Sequence, residues 1–188
     1  LVPTAELAAA LEAKGLERVG VLARGVDTTL FHPARRDRSL RREWGLDEED
    51  LAVLFVGRVA AEKNIRLAVA AYEAIARSHP GVRFVVVGDG PLRVRLQQEY
   101  PQFVFCGARR GEDLARHYAS ADLFVFGSTS ETYGNEIIEA MASGLPVLCY
   151  DYAAGRQHIS SGDNGLLVPF ADREAFIASA LALASDRE

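Results

Sequence analysis

Two short segments of the 188-residue chain combine charged side chains with glycine in a pattern that suits a phosphorylated ligand. The first segment, residues 57–64, reads GRVAAEKN, and Gly57 lets the backbone come close to a ligand. Arg58 can fork onto two phosphate oxygens, whereas Lys63, one of only two lysines in the chain, supplies a point charge. This segment therefore predicts a loop that binds phosphate oxygens. The alternative is a solvated loop with a Glu62–Lys63 surface pair.

The second segment, residues 128–146, reads STSETYGNEIIEAMASGLP and brings two carboxylates to the start of a predicted helix. Glu131 lies just before the helix, and Glu139 lies a little over one turn inside it, away from the apolar stripe. A carboxylate at Glu139 could accept both hydroxyls of a ribose. Backbone N–H groups that suit phosphate or sugar oxygens are expected at Tyr133, Gly134 and Asn135. The alternative is that Glu131 is a favourable first-turn acid and Glu139 is solvated.

The elements that must position these segments alternate between short apolar runs and amphipathic stretches. The apolar runs are continuous and rich in Val and Phe, as strands buried on both faces require. They lie at 51–57, 82–88, 103–107, 122–127, 146–151 and 165–169. Helices are predicted at 64–77, 91–99, 111–120, 134–145 and 172–185. This alternation predicts a parallel sheet with right-handed crossovers.

Six such strands fit the doubly wound order 3-2-1-4-5-6, so we predict an α/β, Rossmann-like domain with a six-stranded parallel sheet. In that order the first and fourth strands are neighbours, and their following loops diverge to opposite faces. Ligands bind in the crevice that this divergence opens. The sequence of residues 1–16 predicts a helix that ends at Gly15, and we interpret this helix as a linker or tail. Residues 17–188 are assigned to the domain.

Composition and charge exclude several classes of protein. Hydrophobic residues make up 49% and charged residues 25% of the chain, which is ordinary globular composition. The net charge of −5 argues against a nucleic-acid binder. Cys106 and Cys149 lie in apolar runs and are interpreted as reduced, buried residues, which together with the absence of a spanning segment or secretory signal predicts a cytoplasmic protein. We expect no metal site, because the chain has no Asp-x-Asp or Cys-x-x-Cys motif and no histidine spacing typical of ligands.

Two features lie before the first core strand. Residues 18–23, RVGVLA, are strand-like. A basic stretch follows at Arg35, Arg36, Arg38, Arg41 and Arg42. Because several acidic residues come directly after it, we favour a solvated helix face over contact with anionic lipid or RNA.

Several of these motifs together resemble the carboxyl-terminal, donor-binding domain of retaining GT-B glycosyltransferases of family 4 (group 1). The resemblance extends over nearly residues 20–185 in family order. The matching motifs are GVD…F-x-P at 25–33, GRVAAEKN at 57–64, VVVGDGP at 85–91, F-x-F-x-G at 103–107, ADLFVFGS at 121–128, ETYGNEIIEAMASGLPV at 131–147 and NGLLVP at 164–169. The paired glutamates are the most specific feature.

The resemblance assigns a role to each candidate residue. Arg58 and Lys63 would hold the diphosphate of a nucleotide sugar and stabilise the leaving group, which is electrostatic work that a metal does elsewhere. Glu139 would bind the ribose hydroxyls. Glu131 would engage the donor sugar and diphosphate together with the amides of Tyr133, Gly134 and Asn135. The base would lie against Gly88, Gly90 and residues 105–109.

The resemblance also implies an activity and partners. The donor would be a UDP- or GDP-sugar, no cofactor or metal would be needed, and the sugar would move with retention to an acceptor hydroxyl of a glycan or lipid. The amino-terminal acceptor domain is absent from the chain, and through it the whole protein would be cytoplasmic or peripheral at the inner membrane face. The alternatives are a sugar-nucleotide epimerase or phosphorylase of the same architecture, or a nucleotide-binding module without activity.

The sequence departs from the family pattern at three places, the last of which concerns the donor-side contacts. Ala-Arg-Gly stands at 23–25 where Pro-Asn-Gly is common, and Gly127 replaces a frequent proline. The run YAAGRQH at 152–158 replaces the usual Gly-Gly-x-x-Glu run.

Overall fold

A computed structural model describes residues 1–131 and 133–186 of the chain. Its centre is a six-stranded, all-parallel sheet with the order β3-β2-β1-β4-β5-β6. The predicted fold class and strand order are therefore confirmed. The strands are β1 Ala52–Val56, β2 Arg83–Val87, β3 Val104–Gly107, β4 Leu123–Phe126, β5 Val147–Tyr150 and β6 Gly165–Val168.

Helices cover both faces of the sheet and follow the predicted segments closely. They are α1 Ala5–Glu12, α2 Arg38–Glu43, α3 Ile65–Ala76, α4 Arg93–Glu99, α5 Gly111–Ser120, α6 Asn135–Ala142, α7 Ala154–His158 and α8 Arg173–Ser185. The short helix α7 lies in the YAAGRQH run and was not predicted from the sequence. Among the described residues, no helix is long and apolar enough to cross a bilayer.

Alternate residues of each central strand enter different halves of the core, which is why the strand sequences are continuously apolar. In β1, Val53 and Phe55 pack in one cluster with α3 and α8. Leu54 packs in the other cluster with α5 and α6. All five residues of β1 are buried, so both halves of the core cover this strand. The sheet is thereby fixed on both sides.

The crevice arises where β1 lies beside β4, with Val53 opposite Leu123. The chain leaving β1 continues into α3 on one face, and the chain leaving β4 continues into α6 on the other. The two loops must therefore diverge above the carboxyl ends of these strands. This confirms the predicted position of the crevice between the two charged segments.

The amino-terminal region differs in part from the prediction. The predicted helix is present as α1, and the Thr4 side chain caps it by accepting a hydrogen bond from the Leu7 amide at 3.2 Å. The strand-like run 18–23 forms no strand, and Val21 makes only an isolated bridge with Val2. Val21 and Leu22 are exposed, so burial provides no driving force to complete a strand there.

The interpretation of the basic stretch as a solvated helix face was wrong at Arg41. The Arg41 side chain is only 3% exposed. Its guanidinium donates to the Asp122 carboxylate at 2.8 Å, to the Ser120 carbonyl at 2.9 Å and to the Asp50 carbonyl at 2.7 Å. Arg41 therefore ties α2 to the amino ends of β1 and β4, which a pattern of charges along the chain cannot reveal.

Candidate functional site

The first charged segment leaves β1 through a glycine in an unusual backbone conformation. Gly57 has a φ of +143°, in a region that L side chains rarely adopt, and its amide donates to the Val87 carbonyl at 3.0 Å. A single 3₁₀ turn, Ala61–Lys63, follows, and Asn64 adopts a left-handed conformation before α3 begins. This geometry holds Lys63 above the crevice.

Lys63 lies between two carboxylates from the opposite loop and helix. Its Nζ forms an ion pair with Glu131 and lies 3.4 Å from Glu136 Oε1. Burial alone would lower the pKa of Lys63, but hydrogen bonds and charge from the two carboxylates outweigh burial and raise that pKa. The ammonium therefore stays charged at neutral pH.

The proposed surface pair between Glu62 and Lys63 is not what the structure contains. Glu62 instead pairs with Arg58 at 2.8 Å, and the Arg58 side chain is 64% exposed. Lys63 is only 16% exposed and turns into the crevice. The two cations of the first loop thus have different surroundings, one solvated and one enclosed.

Glu131 is held rigidly beside Lys63. The Ser128 hydroxyl donates to Glu131 Oε1 at 2.8 Å, and Ser128 is itself buried. The Phe126 ring at the end of β4 lies beneath the ammonium, with 5.4 Å between Lys63 Nζ and the ring centroid. Glu131 also borders a cleft of about 190 Å³ between α1 and α7, together with Tyr152 and Gln157. The ion pair therefore lies at the edge of open space.

Tyr133, Gly134 and Asn135 lie at the start of α6. Backbone conformation and packing, rather than ion pairs, arrange these residues. Gly134 is left-handed, with a φ of +71°, and immediately precedes the first helical residue, Asn135. The Tyr133 side chain is buried, and its hydroxyl donates to the Arg24 carbonyl. Tyr133 thus ties the α6 entrance to the segment that leads into the domain.

Glu139 lies one turn into α6, in a setting unlike that of Glu131. Burial raises the pKa of Glu139 to about 7, and the like charge of Glu136 acts in the same direction. The Tyr118 hydroxyl, buried on α5, acts in the opposite direction. Near neutral pH, Glu139 is therefore protonated in part of the molecules and ionised in the rest.

Gly88 and Gly90, which the sequence analysis expects to contact the base, cannot be replaced by larger residues without a steric clash. A Cβ at Gly88 would overlap the Gly57 carbonyl, and a Cβ at Gly90 would overlap the Val59 carbonyl. The loops after β1 and β2 can lie against each other only if these positions are glycine. The proposed contacts of Gly88, Gly90 and residues 105–109 with a base stay a prediction.

The structure thus brings Lys63 and Glu131 into contact, and Glu139 lies close enough to Glu136 for the charge of Glu136 to raise its pKa. Arg58 points to solvent instead. Sequence reasoning missed Glu136 and Ser128. The signal for Glu136 was its spacing, because a residue three positions before Glu139 shares its helix face. No group of three or more His, Cys, Asp or Glu side chains able to hold a metal ion occurs within residues 1–131 and 133–186.

Comparison with known proteins agrees with the architecture. Sucrose-phosphate synthase from Thermosynechococcus elongatus superposes with a TM-score of 0.81 at 27% identity, over 98% of this chain and 48% of that one. Anabaena HepE in complex with UDP-glucose superposes with a TM-score of 0.76 at 23% identity, over 99% of this chain and 58% of that one. The second likeness concerns the fold alone.

Sequence relatives are closer. The chain is 43% identical over 183 residues to a GDP-mannose-dependent alpha-mannosyltransferase of Mycobacterium tuberculosis, covering 97% of this chain and 47% of that protein. It is 34% identical to a sulfoquinovosyl transferase of Arabidopsis thaliana, covering 100% of this chain and 38% of that protein. The chain therefore spans about half, or less, of the length of these relatives. The model of the family described as "Glycosyl transferases group 1" matches residues 50–186, and the chain belongs to that family.

Proposed function

We propose that this chain is the nucleotide-sugar-binding domain of a metal-independent, retaining glycosyltransferase of family 4. The observation that carries the proposal is the enclosed Lys63 ammonium at the crevice between β1 and β4, in contact with Glu131. A fixed cation at this place suits a diphosphate. The same ammonium would stabilise the negative charge that grows on the leaving diphosphate as the glycosidic bond breaks.

The other residues of the crevice divide the rest of the donor between them. Glu139 would accept hydrogen bonds from the ribose hydroxyls in its ionised form. Glu131 would engage the sugar, with the amides of Tyr133, Gly134 and Asn135 near the diphosphate. Arg58, which is solvated and paired with Glu62, would turn from that carboxylate to the phosphates. Gly57 would let the diphosphate approach the backbone closely.

The extent of the sheet and the partial coverage of the longer relatives support a division of the protein into domains. Residues 17–188 would form the donor domain, and residues 1–16 would connect it to an amino-terminal acceptor domain. The complete transferase would move the sugar to an acceptor hydroxyl of a glycan or lipid. This chain alone would bind the donor without transferring the sugar.

The sequence relatives favour one donor over the others. Three relatives from Mycobacterium tuberculosis, Mycolicibacterium smegmatis and Corynebacterium glutamicum, 43%, 42% and 37% identical to this chain, bear the name GDP-mannose-dependent alpha-mannosyltransferase. We therefore favour GDP-mannose among the UDP- and GDP-sugars.

Isothermal titration calorimetry tests the proposal directly. The chain is titrated with GDP, UDP and GDP-mannose in EDTA, and then with added magnesium or manganese. We expect binding in EDTA, tighter for GDP than for UDP. Binding that requires a divalent cation would overturn the assignment of Lys63 and Arg58 as the groups that replace a metal.

Two isosteric variants test the division of roles. Glu139→Gln should weaken GDP and GDP-mannose binding alike, because the ribose is common to both ligands. Glu131→Gln should weaken GDP-mannose binding more than GDP binding, because its proposed partner is the sugar. Equal losses for both ligands in both variants would refute separate roles.

A further inference from the structure

The surroundings of Lys63 pose a problem for the binding of an anion. One ammonium faces two carboxylates, Glu131 and Glu136, and the other cation of the loop, Arg58, is itself paired with Glu62. A diphosphate that enters the crevice therefore meets cations that are already compensated by carboxylates. A phosphate oxygen would gain the full charge of the Lys63 ammonium only where one of these carboxylates yields its place.

The two carboxylates are not equally able to yield. Glu131 is the more enclosed, with its side chain 9% exposed, and it accepts a second hydrogen bond from Ser128. Glu136 is 23% exposed, and its contact with Lys63 is longer, at 3.4 Å. Glu136 is therefore the carboxylate that a ligand can displace at lower cost.

Glu136 also occupies the positions that would favour a phosphate. It lies in the first turn of α6, where the helix macrodipole favours a negative charge. Glu136 Oε1 lies 3.8 Å from the position that a Cβ on Gly57 would occupy, so this carboxylate faces the loop after β1. A phosphate oxygen that approached Lys63 along this loop would meet the Glu136 carboxylate.

From these contacts we infer that Glu136 is an internal competitor for the diphosphate. In the empty site its carboxylate takes the place of a phosphate oxygen beside Lys63 and keeps the ammonium in position over Phe126. On binding, the phosphate replaces it, and after bond cleavage it returns and favours release of the nucleoside diphosphate. This inference rests on the proposed function, because it concerns the affinity of that same site.

The inference predicts a gain of affinity on removal of a charge, which is an unusual sign for a residue in a binding crevice. Glu136→Gln keeps the size of the side chain but removes the charge that repels the phosphate and compensates Lys63. We expect GDP to bind roughly 3- to 10-fold more tightly, the size of effect that one partly screened charge produces. A residue that merely supported the fold would lower affinity when changed.

The experiment compares the wild type, Glu136→Gln and Glu112→Gln by calorimetry at low ionic strength in EDTA. The ligands are GDP and inorganic pyrophosphate, which contains the diphosphate without the nucleoside. Glu112 is a matched control, because its side chain is 79% exposed on α5 and pairs only loosely with Arg35, at 3.8 Å. We expect a gain in affinity in Glu136→Gln and none in Glu112→Gln, and the gain should shrink as salt is added.

The outcomes separate this inference from the proposed function. If the wild type binds GDP and Glu136→Gln binds it equally or more weakly, internal competition is wrong and the proposed function stands. If neither protein binds GDP, UDP or pyrophosphate, the proposed function fails as well. Glu136→Ala, with a melting curve recorded for each variant, provides a second removal of the charge and should shift the affinity in the same direction.

Discussion

One ionic cluster lies at the amino ends of β1 and β4 and another at their carboxyl ends, and the two clusters are built differently. At the amino end, Arg41 donates to Asp122 and to backbone carbonyls, and Asp122 accepts the Ala52 amide at 2.8 Å and a bond from Arg36 at 2.7 Å. At the carboxyl end, Lys63 contacts two side-chain carboxylates. Cations and backbone amides surround the carboxylate in the first cluster, whereas carboxylates surround the cation in the second.

This difference separates a structural cluster from one that can exchange partners. Backbone carbonyls cannot move without moving the strands, so the contacts of Arg41 stabilise one arrangement of α2, β1 and β4. The partners of Lys63 are side chains on a loop and on the first turn of a helix, and the less enclosed of them, Glu136, can change rotamer without moving the backbone. An anionic ligand can therefore replace a partner at the carboxyl end at a much lower cost than at the amino end.

Removal of the amino-end guanidinium should give the largest effect on stability. Arg41→Ala leaves the Asp122 carboxylate and several carbonyls without this partner, and breaking a buried ion pair costs about 3–5 kcal/mol. We expect the free energy of unfolding in urea to fall by about that amount. Arg38→Ala is the control, because Arg38 is 79% exposed and its surface pair with Glu48 should contribute less than about 1 kcal/mol.

An Arg41→Ala protein as stable as the Arg38→Ala protein would show that the amino-end cluster is no more structural than a surface pair. The contrast between the two ends of the sheet would then have no energetic basis.

Removal of the carboxyl-end ammonium should act mainly on binding. Lys63→Ala removes a charge-assisted contact with the diphosphate, which contributes about 1.5–3 kcal/mol, so GDP affinity should fall by about 10- to 150-fold. Stability should fall less than in Arg41→Ala, because Lys63 is more exposed than Arg41, 16% against 3%, and its hydrogen-bond partners are side chains rather than backbone carbonyls. Calorimetry with GDP and urea unfolding measure the two effects.

Lys14→Ala is the matched control for Lys63→Ala, because Lys14 lies exposed just after α1 and is the only other lysine of the chain. Its loss should leave both GDP affinity and stability near those of the wild type. Unchanged GDP affinity in Lys63→Ala, with a loss of stability as large as that of Arg41→Ala, would reverse the roles assigned to the two clusters.

A third comparison concerns the pH dependence of stability near Glu139. Folding raises the pKa of Glu139 from an ordinary value of 4.5 to about 7, so the folded protein binds more protons than the unfolded chain between these values. This group therefore lowers stability progressively as pH rises from about 4.5 to about 7. Glu139→Gln should remove that contribution and gain stability over the wild type as pH rises.

Melting curves of the wild type and Glu139→Gln between pH 5 and pH 8 measure this difference. Burial lowers the pKa of His117, so His117 contributes to stability with the opposite pH dependence. Because both proteins contain His117, its effect cancels in the difference between them. A constant difference between the two proteins across this range would show that Glu139 titrates normally. Its carboxylate would then differ little from that of a solvated glutamate.

The sequence predicted the sheet correctly because burial on both faces leaves a strong local signal. Every residue of β1 must be apolar, and the following loop must contain Gly57, whose backbone conformation few other residues adopt. The charged segments at 57–64 and 128–146 were placed at the crevice by strand order alone. The secondary structure of two segments was not predicted correctly, because tertiary contacts rather than local sequence determine it. Helix α7 was missed, and residues 18–23 form no strand.

The charge pattern along the chain could not assign partners to the basic residues. Arg38 and Arg41 are three positions apart on α2, and both precede acidic residues, yet one is solvated and the other is enclosed. What distinguishes them is the position of Asp122, which comes 81 residues after Arg41. Only the packing of α2 against the amino ends of β1 and β4 brings these two side chains together.

The amino-acid sequence by itself determined the fold class, the strand order and the two loops that meet at the crevice, because these depend on apolar periodicity and on glycine. The tertiary structure decided which cation is enclosed, that Glu136 shares Lys63 with Glu131, and that burial shifts the pKa of Glu139. Charge partners and desolvation depend on distances between residues remote in sequence. Those distances exist only once both faces of the sheet have been covered.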